Sequence, residues 1–326
     1  MIANAARTLP ATRHVKEFSP HHKPAYRVSP GECVRVETLC CSSGSVRHST
    51  TAASNDELRA NVGWIGGMPM TGPIFVEGAA PGDALAVHID KIDVADIGWT
   101  DVMIGRGAVG ELITEAEVRT FQIEGGAIDF GFGVRLPLTP MIGAIGTAPA
   151  DHALNAGIPG THGGNMDCTL IRPKSTLYLP VNIPGAMLGL GDLHAAMGDG
   201  EVGNAGLEVS GSVTLRLAVV KEHGLPLPLI DTGTTVSSIA SALELEKAAR
   251  QAVQGMVRWI ERSTELGIND AAMLVSIAGD LRICQMVNNV MTCRMDMPKD
   301  VLTAMGIQLL AFAGPVLPTP LQADSR

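Results

Sequence analysis

The run "GLEVSGSVTLRLAVV", residues 206–220, constrains this chain more than any other stretch. Leu207, Val209, Val213, Leu215, Leu217 and Val219 fall on one parity, and Glu208, Ser210, Ser212, Thr214 and Arg216 on the other. Alternation of period two builds a two-faced strand, whereas on a helix the same residues would scatter around the axis. The segments "SPGECVRVETL" and "APGDALAVHIDKIDV" repeat the pattern, each with a Pro-Gly-acid turn feeding alternating apolar residues. "STLYLPVNIPGAMLGLGDL" reads as a further strand region broken by Pro and Gly. With 37 Gly and 20 Pro in 326 residues, turns are frequent and strands are expected to be many.

After about Ser237 the period changes. In "SALELEKAARQAVQGMVRWIERSTELGI", Leu245, Ala249, Ala252, Met256 and Ile260 fall on one helical face. Ser241 and Glu244 are spaced as a capping box, and Gly267 is a stop signal. Two shorter helices are expected, one capped by Asn269 and one starting near Asp280, and Pro298 suits the first turn of a last helix. The expected fold is therefore α+β and mainly β: a large β-rich sandwich or barrel-like part with a smaller helix-containing C-terminal part. The expected division is a loosely held arm at 1–24, a β-rich catalytic part at 25–235 and an α/β C-terminal part at 236–326.

A formal net charge of −9 and 3% aromatic residues argue against a nucleic-acid partner and against an anionic membrane surface. No apolar run approaches the length of a membrane span, and the opening residues are polar and broken by prolines. The six cysteines lack metal-finger spacing, so a reduced, cytoplasmic setting is expected.

Two polar knots stand out against this apolar background. "GLGDLHAAMGDGEVGNAGLEV", residues 189–209, holds Asp192, His194, Asp199, Glu201 and Glu208 and neither Lys nor Arg. Either water or a cation must neutralise them. Asp192 and His194 share one face of a strand, and an imidazole nitrogen beside carboxylate oxygens suits zinc or a similar divalent ion. Asp199 and Glu201 share parity around Gly200, with a solvated turn as the plainer alternative. The second knot, "GIPGTHGGNMDCTL" at 157–170, sets His162, Asn165 and Asp167 among four glycines, a density that signals sharp turns or close backbone approach. Cys168 offers a thiolate as an alternative nucleophile, although no Lys or helix start stands beside it to lower its pKa. His48 also carries a titratable ring, and the serine runs at 41–45 and 236–241 lack a Lys or His partner in sequence.

The stretches "TGPIFVEGAAPGDALAVHI", "THGGNMDCTL", "LYLPVNIPGAMLGLGDLHAAMGDGEV" and "DAAMLVSIAGDLRICQMVN" resemble the acetamidase/formamidase family in composition and order. The resemblance implies a β-rich fold with an α/β C-terminal part, a homo-oligomer, and hydrolysis of a short-chain amide to carboxylic acid and ammonia. The family's His-Gly-Gly-Asn-Met-Asp segment falls on His162 to Asp167, its Gly-Asp-x-His segment on Gly191 to His194, and its Gly-Asp-Gly-Glu turn on Gly198 to Glu201, with Glu208 the acid that follows. The expected mechanism is a water activated by a divalent metal, zinc with calcium as the alternative, on Asp167, His194 and Glu208. Glu201, Asp199, Asn165 and His162 are the expected catalytic residues, Glu201 moving the proton and Asn165 donating to the oxyanion. Cys40 stands where the family pattern has an acid, and Cys168 where Thr or Ile is usual. Two alternatives follow: a thiolate amidase on Cys168, and a non-catalytic metal- or small-molecule-binding protein on the same scaffold.

Overall fold

The alternating run becomes the strand Glu208–Val220, which pairs antiparallel with Cys33–Thr38 along one edge and with the long strand Ala84–Val102 along the other. The computed structural model describes residues 7–43, 46, 57, 68–222, 224–310 and 312; His48 lies outside them. Val209, Val213, Leu215 and Leu217 are buried in the main core, as the alternation demands. The polar face is covered too. Arg216 is held by Asp90 through two bonds of 2.8 Å, and Glu208 and Ser212 are buried.

Strands dominate, in a branched and mostly antiparallel network, so the expectation of a mainly β, α+β fold is borne out. Leu188–His194 pairs with Met141–Gly146 on one side and Met70–Val76 on the other, and its last two residues pass onto Glu208–Val220. Gly163–Asn165 adds to the far edge of Met141–Gly146. The C-terminal region has its own hairpins, Leu229–Asp231 with Thr235–Ala242 and Asp280–Gln285 with Met291–Pro298. The helices Leu245–Ser263 and Ile268–Ala278 cover this sheet, burying Ala252, Met256, Ile260, Ala271 and Val275 against Val236, Met295 and Met297. Among the described residues, no helix is long and apolar enough to cross a membrane.

Several sequence expectations need correction. Asn269 is not a cap, since it lies inside the helix Ile268–Ala278, and Gly267 stands at the start of that helix rather than stopping the one before, which ends at Ser263. Ser241 is not a helix cap: it lies in the strand Thr235–Ala242 and bonds Thr292 at 3.0 Å, while the helix starts at Leu245 behind Glu244 without a side-chain cap. Residues 280–285 form a strand, not a helix, because pairing with Met291–Pro298 supplies their backbone partners. A short apolar run fits either period, and tertiary pairing decides. The segment read as a loose arm is tied down over its described residues. Arg7–Leu9 pairs parallel with Cys33–Thr38, and Leu9 and Phe18 are buried, which anchors it through apolar contact.

Candidate functional site

Strand register brings the two knots together. His194, the last residue of Leu188–His194, sits directly opposite Glu208 on the next strand, and its Nε2 lies 3.0 Å from Glu208 Oε1 and 3.8 Å from Asp192 Oδ2. On the other side, Asp167 N donates to Gly143 O at 3.1 Å, which holds Asp167 against the strand that faces Asp192. Gly143 is the pivot. A Cβ there would stand 2.6 Å from Asp167 Oδ1 and 2.8 Å from Asp192 Oδ2, so the two carboxylates meet where a side chain would be. Gly206 N fixes Glu201 by donating to Oε1 at 3.0 Å, and Asn288 Nδ2 reaches Asp167 Oδ2 at 3.3 Å.

The backbone that aims these groups is itself unusual. Asp167, Asp192 and Glu201 all have positive φ, at 45°, 56° and 44°. Each such residue costs about 1–2 kcal/mol, and such strain concentrates where a site demands a direction that regular structure cannot give.

Asp167, Asp192, His194, Glu201 and Glu208 are all buried. Asp167, His194 and Glu201 present ligand atoms within 4.8 Å of one another, and so do Cys41, Asp192 and Glu208. Burial and the charge of Asp192 push the Asp167 carboxyl up to about 8. Burial raises Glu208 to about 7 and holds Glu201 well above the carboxylate range, with the charge of Asp167 adding to the latter. Burial alone would lower His194, but Glu208 and Asp192 raise it well above the usual imidazole range. Asp167 Oδ1, Asp192 Oδ1, Glu201 Oε2 and Glu208 Oε2 are buried without a hydrogen-bond partner among the described residues, and His194 Nε2 faces the carboxylates of Glu208 and Asp192. So many orphan acceptors in one place are costly unless a cation meets them. One imidazole, several carboxylates and a thiol form a donor set that fits zinc better than an all-oxygen ion such as calcium.

The expected residues divide. Asn165, Asp167, Glu201 and Glu208 line one cavity of about 200 Å³, and His194 stands against it through Glu208 and Asp192. Asp199 is elsewhere: Arg294 grips it through bonds of 2.8 and 2.6 Å and Thr169 through 2.7 Å, and Arg294 holds its carboxyl below the usual range against the opposing effect of burial. The absence of a nearby basic residue in sequence was misleading here, because the partner comes from the C-terminal hairpin. His162 is buried under the Phe18 ring at 5.1 Å, lies outside the cavity lining, and is kept neutral by burial, which lowers its pKa to about 4. Cys168 points into the main core beside Cys284, away from the cavity, so it offers a substrate carbonyl no line of attack. Cys40 is buried with its Sγ 3.0 Å from Ser42 Oγ and does not line the cavity.

Sequence reasoning did not place Cys41, Arg106, Asn204 and Asn288 at the cavity, and weighed Asp192 without assigning it a role. Asp192 was within reach, since it shares strand parity with His194. Asn288 lay in a matched stretch and carried no chemical signal of its own. It arrives because Gly200 N donates to Cys284 O at 2.9 Å and Met286 N to Gly200 O at 3.1 Å, which clamps the Glu201 turn to the hairpin end.

A mainly β chain with a buried carboxylate–histidine centre lining a cavity defines the class. The family model for acetamidases and formamidases matches residues 5–157 and 150–304, and the chain belongs to the acetamidase/formamidase family. It is similar to the crystal structure of an acetamidase from Bacillus halodurans, with TM-score 0.87 and 40% identity over 92% of this chain and 100% of that one. It is equally similar to a recombinant predicted acetamidase/formamidase from Thermoanaerobacter tengcongensis, with TM-score 0.88 and 40% identity over 93% and 99% of the two chains. A formamidase from Methylophilus methylotrophus is 24% identical over 252 residues, 60% of this chain. The chain spans 62% and 61% of the length of two curated relatives it matches.

Proposed function

We propose that this protein hydrolyses a short aliphatic amide to a carboxylic acid and ammonia, at a divalent metal held by the buried cluster. The observation that carries the reading is the convergence of unpartnered carboxylate oxygens and one imidazole nitrogen on a single cavity, in a chain of this family. Asp167 and His194 on one side, and Asp192, Glu208 and Cys41 on the other, are the available ligands, with Glu201 beside them left for proton transfer. A divalent ion there would supply Lewis acidity to the amide carbonyl and lower the pKa of water.

The chain's own groups supply the rest. Glu201 has one oxygen fixed by Gly206 N–H and one unpartnered, and its affinity for protons is raised by burial. It is therefore suited to take a proton from water and pass it to the leaving nitrogen, the two transfers that a poor leaving group requires. Asn165 lines the same cavity, and in this reading its amide N–H would donate to the carbonyl oxygen. Zinc is the proposed ion.

The test is ammonia release from formamide and acetamide by the intact protein and by Glu201→Gln. The substitution keeps shape and removes the proton acceptor, so kcat is expected to fall by roughly 10²–10⁴ with the melting temperature little changed. Full activity in Glu201→Gln would remove that residue from the scheme.

A further inference from the structure

We propose that Arg106 forms an anion-binding subsite in the same cavity, so that the favoured substrates are short amides carrying a carboxylate, such as monoamides of small dicarboxylic acids. This rests on the amidase reading above and names the substrate class within it.

Arg106 lines the cavity together with Asp167 and Glu201. Its Nε is buried without a hydrogen-bond partner, and among the described residues no carboxylate pairs with the guanidinium. Asp101 is near enough to feel its charge; Asp101 Oδ1 is taken by Asn204 Nδ2 at 2.8 Å, and Asp101 Oδ2 is buried but makes no hydrogen bond to the guanidinium. Arg106 as a whole is only partly buried, but a buried N–H with no acceptor is costly, so an acceptor from a bound molecule would complete it. The guanidinium presents a planar fork that matches a carboxylate in two parallel bonds.

The position of Arg106 is fixed relative to the reacting end. It sits between Gly105 and Gly107, both at positive φ, and a Cβ on Gly107 would collide with Gly203 O. Ala108 N donates to Val202 O at 3.0 Å, which bonds the Arg106 loop to the turn that carries Glu201. The spacing between the proposed anion subsite and the proton acceptor is thus set by backbone contact rather than by two flexible side chains.

The size and lining of the cavity agree. About 200 Å³ is far more than a single water needs. Formamide, with a single carbon, oxygen and nitrogen, leaves most of that space unused. Among the described residues, the remaining wall is polar at Asn155, Asn204 and Asn288 and apolar at Met68 and Val287, which suits a charged or hydrogen-bonding substituent better than an alkyl chain. In the reaction, the amide C–N bond breaks and water oxygen bonds to the carbonyl carbon. The water protons go to the nitrogen, so monoamide and water give the dicarboxylate and ammonium with no change of oxidation state.

The experiment compares kcat/KM for malonamate and for neutral malonamide, in the metal-loaded wild type, Arg106→Gln and Arg106→Lys. The ratio of the two values is read, so a general loss of stability or metal cancels. The wild type is expected to favour malonamate at least tenfold. Arg106→Gln should cut the ratio by about tenfold to a hundredfold, mainly through KM, and Arg106→Lys should keep part of it. A wild-type ratio near one, or a ratio unchanged in Arg106→Gln, overturns the subsite and leaves the amidase reading standing; the guanidinium would then only balance the carboxylate cluster. If neither amide is hydrolysed, the amidase reading fails, and calorimetric titration with malonate decides: binding lost in Arg106→Gln supports the subsite, and equal or absent binding overturns it.

Discussion

Gly143 shows how much of this site depends on one missing side chain. The carboxylates of Asp167 and Asp192 converge on the space over its Cα, and each is carried there by a positive-φ backbone conformation. Gly143→Ala would press a methyl group between them. Divalent-metal affinity, measured by competition with a chelator, is expected to fall at least tenfold, as for loss of a group that orients a ligand. Unchanged affinity would show that these two carboxylates do not act as a pair. The chemical types at the centre were legible in the sequence, since an acid between Met166 and Cys168 or beside an apolar strand needs a reason to be there. Their pairing was legible only in part. Parity linked Asp192 with His194, whereas the contact of His194 with Glu208 depends on register between two strands, which no local pattern states.

The C-terminal hairpin Asp280–Gln285 and Met291–Pro298 is the element that completes the site from outside the main sheet. Its turn brings Val287 and Asn288 to the cavity, its first strand bonds the backbone of Gly200, and its second strand carries Arg294 to Asp199. Arg294→Leu removes the buried half of that ion pair. Because the Asp199 side chain is 36% exposed, the expected cost is about 2 kcal/mol, below the range for fully buried pairs. Chemical denaturation would measure it, and kcat should fall as well, because the turn before Glu201 loses its anchor. A variant as stable and as active as wild type would show that the turn holds itself. This hairpin was the least legible element. Leu281, Ile283 and Val287 satisfy a helical reading about as well as a strand, and the arbiter is a partner strand that follows in the chain. The long strands were legible because Val34, Val36, Leu85, Val87 and Ile89 alternate over enough residues to exclude a helix, and all five are buried in the main core.

At the scale of the whole molecule, the fold encloses several like charges in one buried site, and its stability should report that. Asp167 and Glu208 have carboxyls raised by burial to about 8 and about 7 in the folded chain, against roughly 4 when unfolded. The folded state of the metal-free protein therefore holds more protons, so its stability declines as pH rises from about 4 to about 8. Binding a divalent cation displaces those protons, so the stabilisation it gives should grow over the same window. Melting curves at pH 5 and pH 8, with chelator and with zinc, are expected to show a metal-free protein that melts lower at pH 8 and a larger zinc-induced rise there. A rise that is larger at pH 5 would contradict this linkage.

The most direct measurement is ammonia release from formamide, acetamide and malonamate, by the protein as purified, after chelation and dialysis, and after adding back zinc or calcium. Turnover is expected to be lost on chelation and restored by the divalent ion, with zinc more effective than calcium. Turnover that survives removal of bound metal, verified by elemental analysis, would contradict a metal-dependent centre at Asp167, Asp192, His194, Glu201 and Glu208.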